Sequence, residues 1–532
     1  MRAVTITAEE YSKGSSFVTD VLRDNQIAQE IINETMLIFE ALFYNLELLN
    51  KDKNTHYTIS ARRSLGDVRI SIGFEGKMTD PMDDEELEEK DSPENLILQG
   101  YADKIDHSYH AGYNIIKITV RRSYARAMMR CLIMGLVAVA VYIPISLFVD
   151  AGTQKLILSE VVFPLQQLFS NAILMIGAPV TFLSLIKNLT DVYILSERDT
   201  GVARLQRTTV ATSGLIIILA IMMAYVMTEV VRDVHKLVDE DMALNLFETP
   251  GDLISSLMPP SIFEPFVATS PLPLVILAAL FTYAFCSTGK YFNAMKNAVE
   301  AGYVLCSRVL GIIMTALPFF FFVAVEDMLL RRGFRSLADL AELIVVSIIS
   351  LAVVALFYLI RLISGGVAVA PFAKKLGPLV VENIKIDSAI DAVAYNIRYC
   401  AKNYGINRRD LQRFLPVLAQ INLDGNCFLL TFTSIMLILV SGTTISYLGI
   451  AAIAIIILFM SLGAPSQPGT FAIGSVIVFT FMQTYDLLTL AICMEVLLGG
   501  MVNIVNVVGD IVTVAVIERK KDGYEPSVRV YK

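Results

Sequence analysis

Glu495, Asn503, Asn506 and Asp510 are polar side chains set in a stretch otherwise apolar enough to cross a bilayer. Within residues 493–518 (CMEVLLGGMVNIVNVVGDIVTVAVIE), Glu495, Gly499, Val502, Asn503, Asn506 and Asp510 fall on one face of a helix at about 100° per residue. A carboxylate near the middle of a membrane costs at least about 2.5 kcal/mol on insertion scales, and it persists where it has a counter-charge, an ion or water. That face is therefore expected to meet protein. No Lys or Arg occurs between Arg413 and Arg519, so a bound cation is the simplest partner in this half of the chain. Just upstream, the apolar LPVLAQI (415–421) runs into Asn422-Leu-Asp424-Gly425-Asn426. Asp followed by Gly favours unwinding, and unwound carbonyls beside a carboxylate are sodium-type ligands. For this segment taken alone, the alternative is a helix cap at a membrane surface.

The elements that must hold these side chains are membrane spans. The chain is 55% apolar and 18% charged, with a mean hydropathy of +0.60, as membrane proteins are. Residues 1–120 are charged and mixed, whereas the remainder of the chain consists mostly of long uncharged runs. The basic RRSYARAMMR (121–130) directly precedes a first span at 131–149 and places the N-terminus in the cytoplasm by the positive-inside rule. Further spans are expected near 161–190, 205–231, 267–288, 297–325 and 337–363, each long enough for the roughly 20 residues a bilayer requires. Six spans return the chain inside. The cationic loops at 198–207, 290–296, 374–375, 398–413 and 519–521 then share the cytoplasmic side, as expected of a multi-pass inner (plasma) membrane protein with both termini cytoplasmic. One turn objects: Arg331, Arg332 and Arg335 fall outside, flanked by Glu326, Asp327, Asp339 and Glu342.

Residues 425–485 are 61 residues without one Asp, Glu, Lys or Arg, about two to three times what a single crossing needs. The run is broken at Ser461-Leu-Gly463-Ala-Pro465-Ser-Gln-Pro-Gly469-Thr470, where two prolines and two glycines forbid continuous helix. Non-helical backbone at membrane depth is tolerated only where it is buried in protein or lines a cavity. A re-entrant hairpin is the expectation.

Residues 1–120 read as a small α/β two-layer cytoplasmic domain. A helical apolar period runs over 25–49, and 56–60, 68–74 and 115–120 alternate as strands do. The helix bearing Glu40 and Asn45, then VRISIGFEGKMTDP, then ADKIDHSYHAGYNIIKITVRR resembles the ATPase domain of histidine kinases and anti-sigma-factor kinases. That resemblance implies Asn45 as a nucleotide-binding residue and ATP as its ligand. The family's Asp-x-Gly turn is here Phe74-Glu75-Gly76, however, and its glycine-rich lid is NLILQG (95–100), with a single glycine where backbone must approach phosphate. A degenerate regulatory or docking domain with a cytoplasmic partner is expected rather than an ATPase or kinase. The start of the chain, MRAVTITAEEYSKG, lacks the apolar segment of a signal peptide. Six scattered cysteines without a CxxC pair read as small core residues in a reducing setting, and four histidines lack the spacing of a zinc or iron site. The net charge of −8 owes much to residues 83–94, eight acids and one lysine, which read as a solvated loop. No nucleic-acid partner is expected.

Taken together, the polar motifs are similar to those of the dicarboxylate/amino-acid:cation symporter family, which includes the glutamate transporters. Residues 422–426 resemble its Asn-Met-Asp-Gly-Thr motif, 461–470 its second hairpin tip, and Asn506-Val-Val-Gly-Asp510 its final Asn-Val-x-Gly-Asp. The resemblance extends over 121–520, leaving 521–532 as a cytoplasmic tail, and includes LFSNAILMIGAPVTFLSLIKNL and LISSLMPPSIFEPF. It implies an α-helical polytopic fold of eight transmembrane helices with two re-entrant hairpins (372–403 and 444–482), a homotrimer, and a transport domain that moves past a fixed scaffold. It also implies that Asn422, Asp424, Asn506 and Asp510 are sodium ligands, and that Asn506 lies beside the solute. The solute-binding positions it implies are Asp387 and Ser388 at the first hairpin tip, Asn426, then Ser461, Gly463, Pro465 and Gly469 at the second. Glu495, Gly499, Val502 and Asn503 complete them on the last helix.

The departures from that pattern bear on the solute. The family's serine-rich first tip is here Ile386-Asp387-Ser388-Ala389, the aspartate that meets a substrate amine is Gly499, and the arginine that pairs a side-chain carboxylate is Val502. An arginine clamp supplies charge and a two-pronged geometry that Val cannot imitate. The expectation is a sodium-coupled symporter, not an enzyme, moving a neutral or cationic small solute rather than glutamate or aspartate. A transporter-derived sensor, whose N-terminal domain reports ligand or sodium occupancy, is the alternative.

Overall fold

The computed structural model describes residues 2–25, 27, 29–50, 55–64, 67–81, 98, 101, 105–110, 112–120, 124–198, 200–231, 249–267, 270–287, 289–384, 389–440, 445–463, 474, 478 and 488–521. The chain divides into two compact units, Met1–Ala127 and Met128–Lys532.

In the first unit, strands β1 (Arg2–Ile6), β2 (Tyr57–Ser64), β3 (Asp67–Glu75), β4 (Ile105–His110) and β5 (Tyr113–Val120) form one antiparallel sheet in the order β1-β2-β3-β5-β4. Alternation sets its inner face: Val68, Ile70, Ile72 and Phe74 of β3, and Asn114, Ile116, Ile118 and Val120 of β5, are buried. Two helices, α1 (Tyr11–Asp24) and α2 (Gln29–Leu49), pack on that sheet. A chain of rings, Phe39, Phe43, Tyr57 and Phe74 at centroid spacings of 5.8, 5.0 and 5.3 Å, joins α2 to β2 and β3. Residues 76–81, which leave β3, are tied down by side chains. Asn114 Nδ2 donates to Lys77 O at 2.7 Å, the Thr79 amide donates to Asn114 Oδ1 at 3.0 Å, and His107 Nε2 is 3.1 Å from the same oxygen. His107 Nδ1 lies 3.6 Å from the Asp80 carboxylate. The acidic run at 83–94 lies outside the described residues, as do 95–97, 99 and 100 of the lid region.

The second unit is helical. Its helices are α3 (Tyr124–Phe148, entering the unit at Met128), α4 (Phe163–Arg198), α5 (Thr200–Thr228), α6 (Pro271–Cys286), α7 (Phe292–Met314), α8 (Leu317–Arg332) and α9 (Arg335–Ser364). They continue with α10 (Val369–Asn383), α11 (Ala389–Asn403), α12 (Arg408–Ile421), α13 (Asp424–Val440), α14 (Tyr447–Gly463) and α15 (Leu488–Lys521). Among the described residues seven helical stretches are long and apolar enough to cross a membrane: Met128–Phe148, Ala151–Ile194, Gly201–Thr228, Gly289–Met314, Arg335–Ser364, Arg408–Val440 and Val496–Arg519.

Two differences from the expected spans have local causes. The span near 267–288 is the 16-residue α6, opened by Pro271 and Pro273. The span near 297–325 is two helices: α7 ends at Met314, Thr315 and Ala316 form a turn, and Pro318 sits in the first turn of α8, where a missing N–H costs nothing. Two of the three arginines in the turn that opposed the charge rule are paired with acids. Arg331 Nε donates to Asp327 at 2.9 Å and Arg332 Nη1 to Asp339 at 2.7 Å.

Helices α10 and α11 run back along one another. Asn383 and Asn396 exchange side-chain hydrogen bonds at 2.9 and 3.3 Å, Tyr399 OH donates to Lys375 O at 2.7 Å, and Lys375 Nζ donates to Asn403 O at 2.5 Å. Each has 15 residues, about 22 Å at the usual rise, short of a hydrocarbon core of about 30 Å. The tip between them, 385–388, lies outside the described residues, as does most of the second expected hairpin beyond Gly463. At the centre stands α13, nearly every residue of it buried, packed on α5, α9, α14 and α15.

Candidate functional site

The helix predicted over 415–421 ends at Ile421, and Asn422 and Leu423 alone break it before α13 starts at Asp424. The expected unwinding is therefore two residues long, and the Asp-Gly pair is the first turn of a new helix. Asn422 leaves helical geometry at φ −106°, ψ 65°, while its amide still bonds Leu418 O at 2.7 Å. A helix start leaves N–H groups without intrahelical partners. The Gly425 N–H is satisfied from α15, by Asn506 Oδ1 at 2.7 Å, and Asn506 Nδ2 donates to Asn426 Oδ1 at 3.1 Å. Such an approach needs a residue without a side chain. A Cβ on Gly425 would lie 2.4 Å from the Val502 carbonyl oxygen and 3.0 Å from Asn506 Oδ1.

The break brings both carboxylates into one buried cluster. Asn422, Asp424, Asn506 and Asp510 are all at most 5% exposed. Asn422 Nδ2 donates to Asp510 Oδ1 at 2.9 Å, while Asn422 Oδ1 is buried with no hydrogen-bond partner. Asp424 accepts from two hydroxyls brought by other helices, Ser213 Oγ of α5 at 3.0 Å and Tyr358 OH of α9 at 3.0 Å. Tyr358 OH also reaches Val505 O of α15 at 3.3 Å. Asp424 stands at the N-terminal end of α13, where the helix dipole favours negative charge. Neither Ser213 nor Tyr358 carried a signal in the sequence. A lone hydroxyl on an apolar helix becomes informative only when the helix opposite it is known.

The missing counter-charge is also supplied from afar. Arg361, one turn beyond Tyr358 on α9, interacts electrostatically with Asp424. Its guanidinium lies over the Phe357 ring at 5.9 Å, and its Nη1 is buried without a hydrogen-bond partner. This arginine lies far upstream of the cation-free stretch between Arg413 and Arg519, so the spacing of charges within that stretch gave no sign of it. Two carboxyl groups face one arginine, and with the orphaned amide oxygen they form a donor set of hard oxygens that suits a monovalent cation.

The other expected positions divide. Asn426, Val502 and Asn503 are on or against the cluster, with Val502 and Asn503 buried, and Gly499 is half-buried one turn away on α15. Ser461 is buried and donates to Leu458 O at 2.6 Å; it lies beside the Cys427 thiol of α13, as Ser213 does. Gly463 ends α14. Glu495 is carried on α15 with its side chain outside the described residues, and Asp387, Ser388, Pro465 and Gly469 lie outside them altogether. In the first unit Asn45 is buried, and its Nδ2 donates to Pro81 O at 2.8 Å. That bond fixes the segment after β3.

A family model described as the sodium:dicarboxylate symporter family matches residues 122–520. The chain belongs to the sodium:dicarboxylate symporter family. It is a transport protein of a multi-pass membrane family. Similar proteins include the C4-dicarboxylate transport protein 1 of Pseudomonas aeruginosa strain UCBPP-PA14 and that of Pseudomonas paraeruginosa strain DSM 24068 / PA7. Each is 24% identical over 275 residues, 51% of this chain and 61% of the relative. The match thus spans less than two thirds of those relatives' length.

Proposed function

We propose that this chain is a sodium-coupled secondary symporter of a small organic solute, with sodium held by Asn422, Asp424, Asn506 and Asp510. The observation that carries the reading is the convergence of both carboxylates and both asparagines in one buried cluster, with Asn422 Oδ1 left unpartnered. Coupling follows from shared geometry. Asn506 bonds the first turn of α13 and is the neighbour of Asn503 and Val502 on the face where a solute would lie, so a cation that orders this cluster also orders the solute surface. Family membership supports an elevator movement within a homotrimer, a cytoplasmic N-terminus, and solute contacts from both hairpin tips, Asp387 and Ser388 on one and Pro465 and Gly469 on the other.

The relatives' names point to four-carbon dicarboxylates. Against such a solute stand Gly499 and Val502, which place no positive charge on the α15 face, and Asp387 and Glu495, which bring negative charge to the first tip and the last helix. A neutral or cationic solute is the reading offered. One assay tests both parts: thermal unfolding of the purified chain in sodium, potassium or choline chloride at equal ionic strength, with and without succinate or a panel of neutral and cationic amino acids. Sodium alone is expected to raise the melting temperature, because a ligand that binds only the folded state stabilises it. A further rise is expected from a member of the panel and not from succinate. Equal melting temperatures in the three salts sink the sodium site; a succinate-specific rise sinks the solute class.

A further inference from the structure

Glu326 has no part in the cluster around Asp424 and Asp510. It lies on α8 in the sequence LPFFFFVAVEDMLLRR, is 4% exposed, and has neither carboxyl oxygen hydrogen-bonded. Among the described residues the four other buried acids of this unit have partners. Asp327 is paired with Arg331 and Asp339 with Arg332, while Asp424 and Asp510 accept from Ser213, Tyr358 and Asn422. Helix α8 packs on α4, α9, α15 and the turn Leu158–Val162. The titratable and charged groups described on those helices are Lys187, Asp191 and Tyr193 of α4, Arg335, Asp339, Glu342, Tyr358 and Arg361 of α9, and Cys493, Asp510, Glu518 and Arg519 of α15, the Glu495 side chain lying outside the described residues. Glu160 of the turn and Cys131 of α3 complete the surroundings. Lys187 is taken up by the Tyr303 ring and Asp191 by Lys296. Among the described residues no ion pair and no hydrogen bond reaches the Glu326 carboxyl.

We propose that Glu326 is a proton-binding site, neutral in the packing seen here, which releases its proton only when α8 and the helices against it part far enough to admit water. An ionised carboxylate without partner or ion is among the costliest groups to bury, whereas a neutral acid is an ordinary polar group. Because α8 packs directly on α15, which carries Asn506 and Asp510, proton occupancy at Glu326 favours the arrangement in which the two helices are in contact. A movement of α15 past α8 would be the event that exposes it. The site takes a proton rather than a metal ion, since no second oxygen ligand stands beside it among the described residues.

The test uses the full chain in detergent, with Glu326→Gln and Glu326→Leu. Both variants replace a neutral acid by a neutral side chain, so both should fold. At neutral pH the infrared carbonyl band of a protonated carboxyl should be weaker in each variant than in the wild type. Above about pH 4.3, where an exposed glutamate ionises, the wild type's folding ratio should fall about tenfold per pH unit relative to either variant until Glu326 itself ionises. Superimposable carbonyl bands, parallel pH profiles, or failure of both neutral variants to fold would each overturn the proposal.

Discussion

Asp510 is held by one amide, Asn422 Nδ2, from a residue that has itself left the helix. Asp424 by contrast has two hydroxyls and the field of Arg361. If a cation is the remaining partner, Asp510 depends on it more. Asp510→Asn keeps the shape, removes the charge and should fold, since a neutral amide is cheaper to bury than a carboxylate. The sodium midpoint for thermal stabilisation should rise by an order of magnitude or more; an unchanged midpoint removes Asp510 from the ion site. A second prediction sits in the first unit. Asp80 and Asn114 hold the His107 imidazole's pKa above its ordinary value, against the opposing effect of burial. A raised histidine pKa stabilises the fold below the unfolded value of about 6.5 and is lost as pH rises through the folded one. Hydrogen exchange along residues 105–120 of the full chain should therefore speed up, relative to Asp80→Asn at the same pH, as pH rises from 6 to 8. Identical ratios at both ends of that interval would show that the ion pair contributes nothing.

At the scale of elements, what could be read from the sequence was whatever lay along one helix. Of the predicted stripe, Val502, Asn503, Asn506 and Asp510 are buried, Gly499 is half-buried and the Glu495 side chain lies outside the described residues, and the interruption falls at Asn422 and Leu423, just before the Asp-Gly pair expected to unwind. What could not be read was what other helices contribute: Ser213, Tyr358 and Arg361 stand on α5 and α9, and nothing in their own segments marks them. The split of α7 from α8 was missed for a different reason. Hydropathy is blind to a two-residue turn when the residues on both sides are apolar, and only Pro318 hinted at it. The close approach of α13 to α15 was also latent, in a glycine. Gly425→Ala would drive a methyl into a main-chain carbonyl that cannot rotate away. A loss of stability of about 1–3 kcal/mol is expected from such overpacking, together with loss of the sodium response, because Asn506 must move first. A variant that melts like wild type and still responds to sodium would show that the two helices have slack.

The molecule as a whole joins a sheet-and-helix unit to a bundle of long apolar helices, and the family match covers most of the second and only the last six residues of the first, 122–127. In the proposed orientation the turn between α8 and α9 faces away from the cytoplasm with three arginines aboard. An electrical potential of 100 mV does about 2.3 kcal/mol of work on each free elementary charge carried across. Arg331 closed on Asp327, and Arg332 on Asp339, travel as dipoles on which that potential has little purchase. The two ion pairs thus leave Arg335 as the arginine of this turn on which that voltage acts when α8 and α9 cross as a hairpin.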